Sequence, residues 1–181
     1  MRMQSFIKIQ KHMITGKNYI GSQLKASGTK TVKTFNPQLN KENSWVFTEA
    51  TQDEIEEAVA LANQAFASYR KCSGVEKANF LNAIADEILA LGEDLLVQYC
   101  SESGFPKGRA EGERGRMIGQ LRSFATMLTE GSWVQATIDT AIADRQPVPK
   151  DDLRKMLVPL GPIVVFGSSN FPFAFSTAGG D

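Results

Sequence analysis

A short polar loop near the carboxyl end of the chain carries the residues best suited to chemistry. Two serine hydroxyls and a carboxamide occupy positions 168–170, directly after the most apolar stretch of the sequence, residues 157–166. Pro172 suits the first turn of a helix, where its missing N–H has no partner to lose. Phe171, which precedes this proline, favours extended geometry. The order strand, polar loop and helix predicts the ligand loop of a nucleotide-binding βα unit.

Asn170 has two interpretations when only the residues are considered. Its side chain can contact a ligand, or it can be the N-cap of the following helix by accepting a main-chain N–H. The loop contains neither G-x-G-x-x-G nor G-x-x-x-x-G-K-[ST], so neither standard phosphate fingerprint applies. The residues alone favour the N-cap, and the two roles can coexist.

The cysteines and the single histidine do not predict a second site. Cys100 lies on an apolar helical stripe, which favours an inert core thiol. Cys72 lies in a turn with no base nearby in sequence, and His12 belongs to an amino-terminal extension, residues 1–13. We expect no disulfide framework and no metal site.

The elements that must position the loop are predicted from hydrophobic periodicity. The β-branched run Ile163 to Phe166 does not alternate, which favours a strand buried on both faces of a parallel sheet. Thr51 and Glu54 form a capping box, and a helix with an apolar stripe follows them. Three further helices are predicted near residues 75–91, 93–103 and 107–130. Short strands are predicted within residues 14–21, at 31–35 and 45–47, and over 133–139.

The predicted fourth helix has an unusual first half. Four glycines recur at spacings of four, three and four and therefore share one face: Gly108, Gly112, Gly115 and Gly119. Each glycine costs helix stability, about 1 kcal/mol relative to alanine. Either this face packs closely against another segment or subunit, or the first turns are poorly formed and solvated. The remaining positions are charged and are interpreted, like most acidic residues of the helices, as solvent-facing.

Composition limits the classes of function. The chain has 181 residues, with 20 basic residues balanced by 20 acidic ones. A neutral chain lacks the positive charge that nucleic-acid binding and anionic membranes require. No apolar run is long enough to span a bilayer, and we expect a cytoplasmic protein.

Residues 157–172 resemble the segment that opens the nucleotide-binding fold in the aldehyde dehydrogenase superfamily, and Asn-Phe-Pro is the specific part. Residues 14–17, 35–37 and the helix from Thr51 are also similar to that family's amino-terminal region. The resemblance implies an α/β fold with short strands, about four helices and the first strand and loop of an incomplete parallel nucleotide-binding sheet. It divides the chain into an extension (1–13), the strands and helices of the cofactor-binding domain (14–156) and a truncated first βα unit (157–181).

The resemblance also assigns roles to the loop. Asn170 would donate a hydrogen bond to the substrate oxygen when a thiolate attacks the aldehyde. Four residues would line the cofactor, NADP or NAD, near its nicotinamide and ribose: Phe166, Gly167, Ser168 and Ser169. Most members carry Pro-Trp where Ser168 and Ser169 stand. This departure most resembles dehydrogenases of α-ketoglutaric semialdehyde (2,5-dioxovalerate), and some fatty-aldehyde dehydrogenases share it.

The family's cysteine nucleophile, glutamate base and cofactor-binding lysine have no counterpart here. We therefore expect an inactive amino-terminal fragment of a parent enzyme that oxidises a small aldehyde and forms homo-oligomers. Two alternatives remain: a non-catalytic binding or assembly module that docks through the glycine face, and an unrelated nucleotide-binding domain that shares Asn-Phe-Pro.

Overall fold

The computed structural model describes residues 14–178. The predicted extension, including His12, and the last three residues lie outside the described residues. Five α-helices occur in the described part: α1 (Gln52–Tyr69), α2 (Gly74–Ala90), α3 (Gly92–Ser103), α4 (Lys107–Glu130) and α5 (Pro172–Ala178). A 3₁₀ helix, Ser132–Val134, follows α4. None of the described helices is both long enough and apolar enough to cross a membrane.

Six short strands form three separate antiparallel pairs within residues 14–178. The strands are β1 (Asn18–Ile20), β2 (Gln23–Lys25), β3 (Thr31–Asn36), β4 (Lys41–Thr48), β5 (Thr137–Asp139) and β6 (Leu153–Lys155). Each pair consists of two consecutive strands: β1 with β2, β3 with β4, and β5 with β6. The first hairpin thus turns at Gly21, several residues later than the sequence predicted.

Side-chain caps define where α1 and α2 begin. The predicted capping box at Thr51 is confirmed, and Ser73 forms a second box with Glu76 that the sequence reasoning missed. Glu54 also accepts the Ser27 amide at 2.9 Å, so it ties the loop before β3 to α1. The Ser27 and Thr51 main-chain amides lower the pKa of Glu54. Glu54 is buried, so the expectation of solvent-facing acids is wrong here.

Two hydrophobic clusters hold the helices together, and both include α4. The first joins α2 to α4 through Ala85, Ile118 and Leu121. The second joins α3, α4 and α5 through Leu96, Tyr99 and Ala110, with Phe173 packed against them. Leu81, Ile84 and Ile88 of α2 pack against the first cluster. Because both clusters include it, α4 is the central helix of the described fold.

The apolar stripe predicted for α1 is not buried in this chain. Ile55 is 49% exposed and Val59 is 55% exposed. Among the described elements, only β1 makes an extensive contact with α1. An amphipathic pattern records which face can be buried, but burial needs a partner, and none covers this face within residues 14–178.

Two predicted strands differ from the structure. Residues 157–168 form no strand, and the side chains of Ile163 and Val164 are 71% and 74% exposed. A buried parallel strand needs hydrogen-bonded neighbours and covered faces, and no described strand lies beside this segment. Of the strand predicted over residues 133–139, only β5 is extended, because a 3₁₀ helix occupies its beginning.

The glycine face of α4 is fully formed and exposed. The four glycines lie inside a continuous helix, so the alternative of poorly formed first turns is wrong. A Cβ built at any of them would meet no atom within 4 Å apart from the backbone of its own helix. Within the described residues no segment packs closely on this face, and packing against another subunit stays a prediction.

Candidate functional site

The loop at residues 167–171 lies against the amino-terminal half of α4. Its last turn closes through a hydrogen bond from the Phe171 amide to the Ser168 carbonyl oxygen at 3.2 Å. α5 then begins at Pro172, as predicted. A Cβ on Gly167 would lie 2.9 Å from Ser176 Oγ, so the chain before the loop passes close to α5. The loop and the helix therefore form one compact unit.

Asn170 lies at the exposed end of this loop. Its Oδ1 atom is in hydrogen-bonding contact with the Ser168 hydroxyl, and no described hydrogen bond engages its Nδ2 group. Its main-chain oxygen accepts a hydrogen bond from Arg109 Nη2 at 2.6 Å. The side chain does not cap α5, so the N-cap interpretation of Asn170 is wrong.

Glu113 of α4 caps α5 instead. Its Oε1 atom accepts the amides of Phe173 at 2.8 Å and Ala174 at 3.1 Å. Amides in the first turn of a helix have no intrahelical acceptor, so a carboxylate there satisfies two of them and also stabilises the helix dipole. Glu113 is only 6% exposed, which corrects its interpretation as one of the solvent-facing charges of α4.

The other oxygen of Glu113 is held by Tyr99 of α3. The Tyr99 hydroxyl donates to Glu113 Oε2 at 2.6 Å. The Tyr99 ring also packs against Phe173, with 4.7 Å between ring centroids. Burial, followed by the hydrogen bond to Glu113, raises the pKa of Tyr99 to about 12. The phenol therefore stays neutral and remains a donor across the physiological pH range.

Arg109 is a second contact between α4 and the loop. Its guanidinium lies 3.9 Å from the centre of the Phe105 ring and 4.9 Å from that of Phe171. A cation over aromatic faces is attracted to their negative surface, and a planar guanidinium stacks well on them. These contacts direct the Nη2 group towards the Asn170 carbonyl oxygen.

Sequence reasoning missed the roles of Tyr99, Arg109 and Glu113. A signal for Glu113 was present, because it lies on the same face of α4 as Ala110 and Met117, both of which are buried. An acid at helical spacing between two core residues is buried unless the helix twists away, and a buried acid needs donors. The pattern did not identify the donors, which come from distant parts of the chain.

The residues predicted to line the cofactor occupy different environments. Phe166 is 84% exposed. Ser169 is exposed, whereas Ser168 is half-buried and contacts Asn170. The structure thus brings Ser168 and Asn170 together and leaves Phe166 and Ser169 on the surface of the described chain.

An open cleft of about 400 Å³ lies beside this loop. It is lined by one aromatic residue of the loop and by charged and small residues of α4: Arg109, Gly112, Glu113, Arg116 and Phe171. Both oxygens of Glu113 are occupied by donors on the protein side, and Arg109 donates to the Asn170 carbonyl oxygen, so two charged groups of this lining are engaged by the protein itself.

The cysteines lie apart from this loop. Cys100 is half-buried against the cluster of Leu96, Tyr99 and Ala110, in agreement with the interpretation as a core thiol. Cys72 follows α1, where its Sγ lies 3.9 Å from the Ser68 carbonyl oxygen. Among the described residues no group of three or more His, Cys, Asp and Glu side chains is arranged to hold a metal ion.

Comparisons with known proteins agree on one family. The model of the aldehyde dehydrogenase family matches residues 24–179. Alpha-ketoglutaric semialdehyde dehydrogenase 2 of Azospirillum brasilense is 46% identical over 169 residues, covering 93% of this chain and 32% of that protein. An alpha-ketoglutaric semialdehyde dehydrogenase of Acinetobacter baylyi is 43% identical over 166 residues, covering 92% of this chain and 32% of that protein.

A solved structure shows the same fold. Aldehyde dehydrogenase 21 of Physcomitrella patens, crystallised with the reaction product succinate, superposes with a TM-score of 0.72 at 20% identity. The match covers 89% of this chain and 32% of that one. The chain thus spans about a third of the length of the relatives it matches. By its family model and by its sequence identity to these relatives, the chain belongs to the aldehyde dehydrogenase family.

Proposed function

We propose that this chain is the amino-terminal part of an NAD(P)-dependent enzyme that oxidises α-ketoglutaric semialdehyde (2,5-dioxovalerate) to 2-oxoglutarate. The observation that carries the proposal is identity of 46% and 43%, across nearly the whole chain, to two enzymes named for that substrate. The Ser168-Ser169-Asn170 loop, with its exposed carboxamide, supports the same assignment. We expect the parent enzyme to be cytoplasmic and homo-oligomeric.

In this proposal Asn170 supplies a hydrogen-bond donor to the substrate oxygen. The contact with Ser168 engages the Oδ1 atom of the carboxamide, which leaves the Nδ2 group, the donor, directed away from Ser168. A fixed donor stabilises an oxyanion more than it stabilises the neutral carbonyl, because negative charge develops as the nucleophile adds. Removing one such donor costs about 3–4 kcal/mol of transition-state stabilisation.

The residues around Asn170 fit one side of a nicotinamide nucleotide. The exposed ring of Phe166 offers an apolar surface, and the exposed hydroxyl of Ser169 offers a hydrogen-bonding group for a ribose. When bound, NAD(P)+ accepts the hydride that leaves the aldehyde carbon. Gly167 and Ser168 would line the cofactor with Phe166 and Ser169, and Asn170 would orient the substrate oxygen beside it. We favour NADP over NAD, and parallel titrations of the two cofactors test that choice.

The isolated chain is expected to be inactive. No cysteine in its described part has the surroundings of a nucleophile, because Cys100 packs in the core and Cys72 follows α1. A hydride acceptor cannot replace the missing nucleophile.

The test compares the purified chain with the full-length protein that contains it. Both are assayed with α-ketoglutaric semialdehyde and with a long-chain fatty aldehyde, and the reduced cofactor is followed by its absorbance. We expect turnover only by the full-length protein and a higher kcat/KM for the semialdehyde. In the same protein Asn170→Ala is expected to lower kcat by about 10²–10³-fold. The matched control is Asn63→Ala, which removes the same carboxamide from the exposed surface of α1.

Two results would reject this proposal. Cofactor-dependent turnover by the chain alone would contradict the assignment of the nucleophile to another part of the enzyme. A full-length Asn170→Ala variant with wild-type kcat would contradict the role of the carboxamide. A preference for the fatty aldehyde would retain the family but change the substrate.

One observation favours a second candidate, a non-catalytic assembly module. The glycine face of α4 is exposed and a Cβ built there meets open space, so another backbone can approach it closely. This candidate expects the purified chain to be monodisperse and to bind a partner protein. Replacement of Gly112 by leucine would then abolish binding and leave the helical content unchanged.

A further inference from the structure

The first turn of α5 is capped from another helix. Phe173 and Ala174 donate their amides to Glu113, which lies about sixty residues earlier in the chain, at 2.8 and 3.1 Å. α5 has no capping side chain of its own among these contacts. Its starting point, and the direction in which the preceding loop leaves it, therefore depend on where α4 places one carboxylate.

The position of that carboxylate is itself constrained. Glu113 is buried, and its second oxygen accepts the Tyr99 hydroxyl at 2.6 Å. Tyr99 is held in turn by the ring of Phe173 on α5. Rotation of the carboxylate would break hydrogen bonds to two different elements, and unpaired donors in a buried environment are costly.

The loop is attached to α4 at both ends. Glu113 holds the amides of α5, and Arg109 holds the main-chain oxygen of Asn170 at 2.6 Å. Asn170 lies two residues before Pro172, the first residue of α5. A shift of α5 is thus transmitted directly to the Asn170 carboxamide.

We propose that Glu113 is a positioning residue for Asn170: by capping α5 from α4 it places the carboxamide at the height and angle that the substrate oxygen requires. The inference rests on the proposed function. Glu113 itself touches neither substrate nor cofactor in this proposal. Its effect on the reaction passes through the main chain of α5 and the loop.

The expected effect follows from the geometry of the cap. Glu113→Ala removes the acceptor of two amides, and a displacement of about 1 Å at a reacting group can lower the rate about 10²-fold. Glu113→Gln keeps an oxygen at the same distance, so most of kcat is recovered. Glu113→Asp keeps the charge but shortens the reach by one methylene, so its kcat resembles that of the alanine variant.

A double-mutant cycle in the full-length enzyme separates positioning from general stability. Glu113→Ala is measured alone and together with Asn170→Ala, with Ile118→Val as the control because Ile118 lies on the same helix but in the cluster shared with α2. If Glu113 acts through Asn170, its replacement lowers kcat about 10²-fold alone and less than about threefold in the Asn170→Ala background. The control leaves kcat unchanged.

Amide hydrogen exchange on the full-length protein tests the cap without any assay of activity. Exchange at Phe173 and Ala174 is expected to accelerate in Glu113→Ala and to remain slow in Glu113→Gln and Ile118→Val. Equal loss of kcat in both backgrounds of the cycle would overturn the proposal, and so would unchanged exchange at these amides. If Asn170→Ala alone keeps wild-type kcat, the proposed function fails, and the exchange data still decide whether Glu113 caps α5. Should Glu113→Ala fail to fold, Glu113→Asp replaces it in every comparison.

Discussion

Tyr99→Phe is expected to remove a loss of stability that the protein undergoes at alkaline pH. Burial and the hydrogen bond to Glu113 raise the pKa of Tyr99 from 10.0 to about 12. Below pH 10 the phenol is neutral in both folded and unfolded chains, and its full stabilising contribution is present. As the pH rises above 10, the unfolded chain releases its proton first, so the free energy of unfolding falls until the folded phenol also ionises near pH 12.

The magnitude follows from the two pKa values. A tenfold change in a proton-binding ratio corresponds to about 1.4 kcal/mol, so these values predict a loss on the order of 1 kcal/mol between pH 8 and pH 11. The loss reaches roughly 3 kcal/mol once both states are ionised. Tyr99 is 4% exposed, so little solvent screening reduces this figure.

Urea unfolding of the wild-type chain and Tyr99→Phe, followed by circular dichroism at pH 8, 9, 10 and 11, measures the effect. The difference in unfolding free energy between the two proteins isolates Tyr99 from the lysines that titrate in the same range. Tyr19→Phe is the matched control, because Tyr19 is 81% exposed. A wild-type minus Tyr99→Phe difference that is the same at pH 8 and pH 11 would refute the reasoning.

Two further predictions concern helix ends and use the same urea measurements. Thr51→Ala removes the acceptor of the Glu54 amide and is expected to lower the free energy of unfolding by about 1 kcal/mol. Gly131→Ala and Gly104→Ala both force alanine into left-handed backbone, which costs about 1–2 kcal/mol. Gly104→Ala is expected to cost more, since its Cβ would lie 2.6 Å from Pro37 Cγ whereas Gly131 has open space. Equal costs for the two glycine variants would contradict the clash with Pro37.

Local features of this fold follow from short stretches of sequence. A threonine followed three residues later by a glutamate predicts the start of α1, and the structure has both hydrogen bonds of that capping box. Pro172 predicts the start of α5 in the same way, because a proline lacks the N–H that a first turn cannot use. Both signals consist of residue types at adjacent or closely spaced positions, so they can be recognised without knowledge of tertiary contacts, although Glu54 and the first turn of α5 each gain such a contact.

The burial of a segment could not be predicted from short stretches of sequence, because it depends on a second segment that lies elsewhere in the chain. The run from Ile163 to Phe166 has the composition of a buried strand, yet it is exposed because no described strand pairs with it. Ile55 and Val59 lie on the apolar face of α1, and no segment among the described residues covers that face. Hydrophobic pattern states what a segment can bury, and burial itself requires a second surface.

The family, the four long helices and the polar loop that presents Asn170 could all be predicted from the amino-acid sequence. These depend on residue types at short spacing and on a motif of adjacent residues. The partners of Glu113 became visible only in the folded chain: it caps α5 in place of Asn170 and accepts the Tyr99 hydroxyl, while Arg109 holds the Asn170 main-chain oxygen. The physical reason is that these hydrogen bonds join groups far apart in sequence. A glutamate at position 113 looks the same in the sequence whether its carboxylate faces water or accepts two amides in the interior.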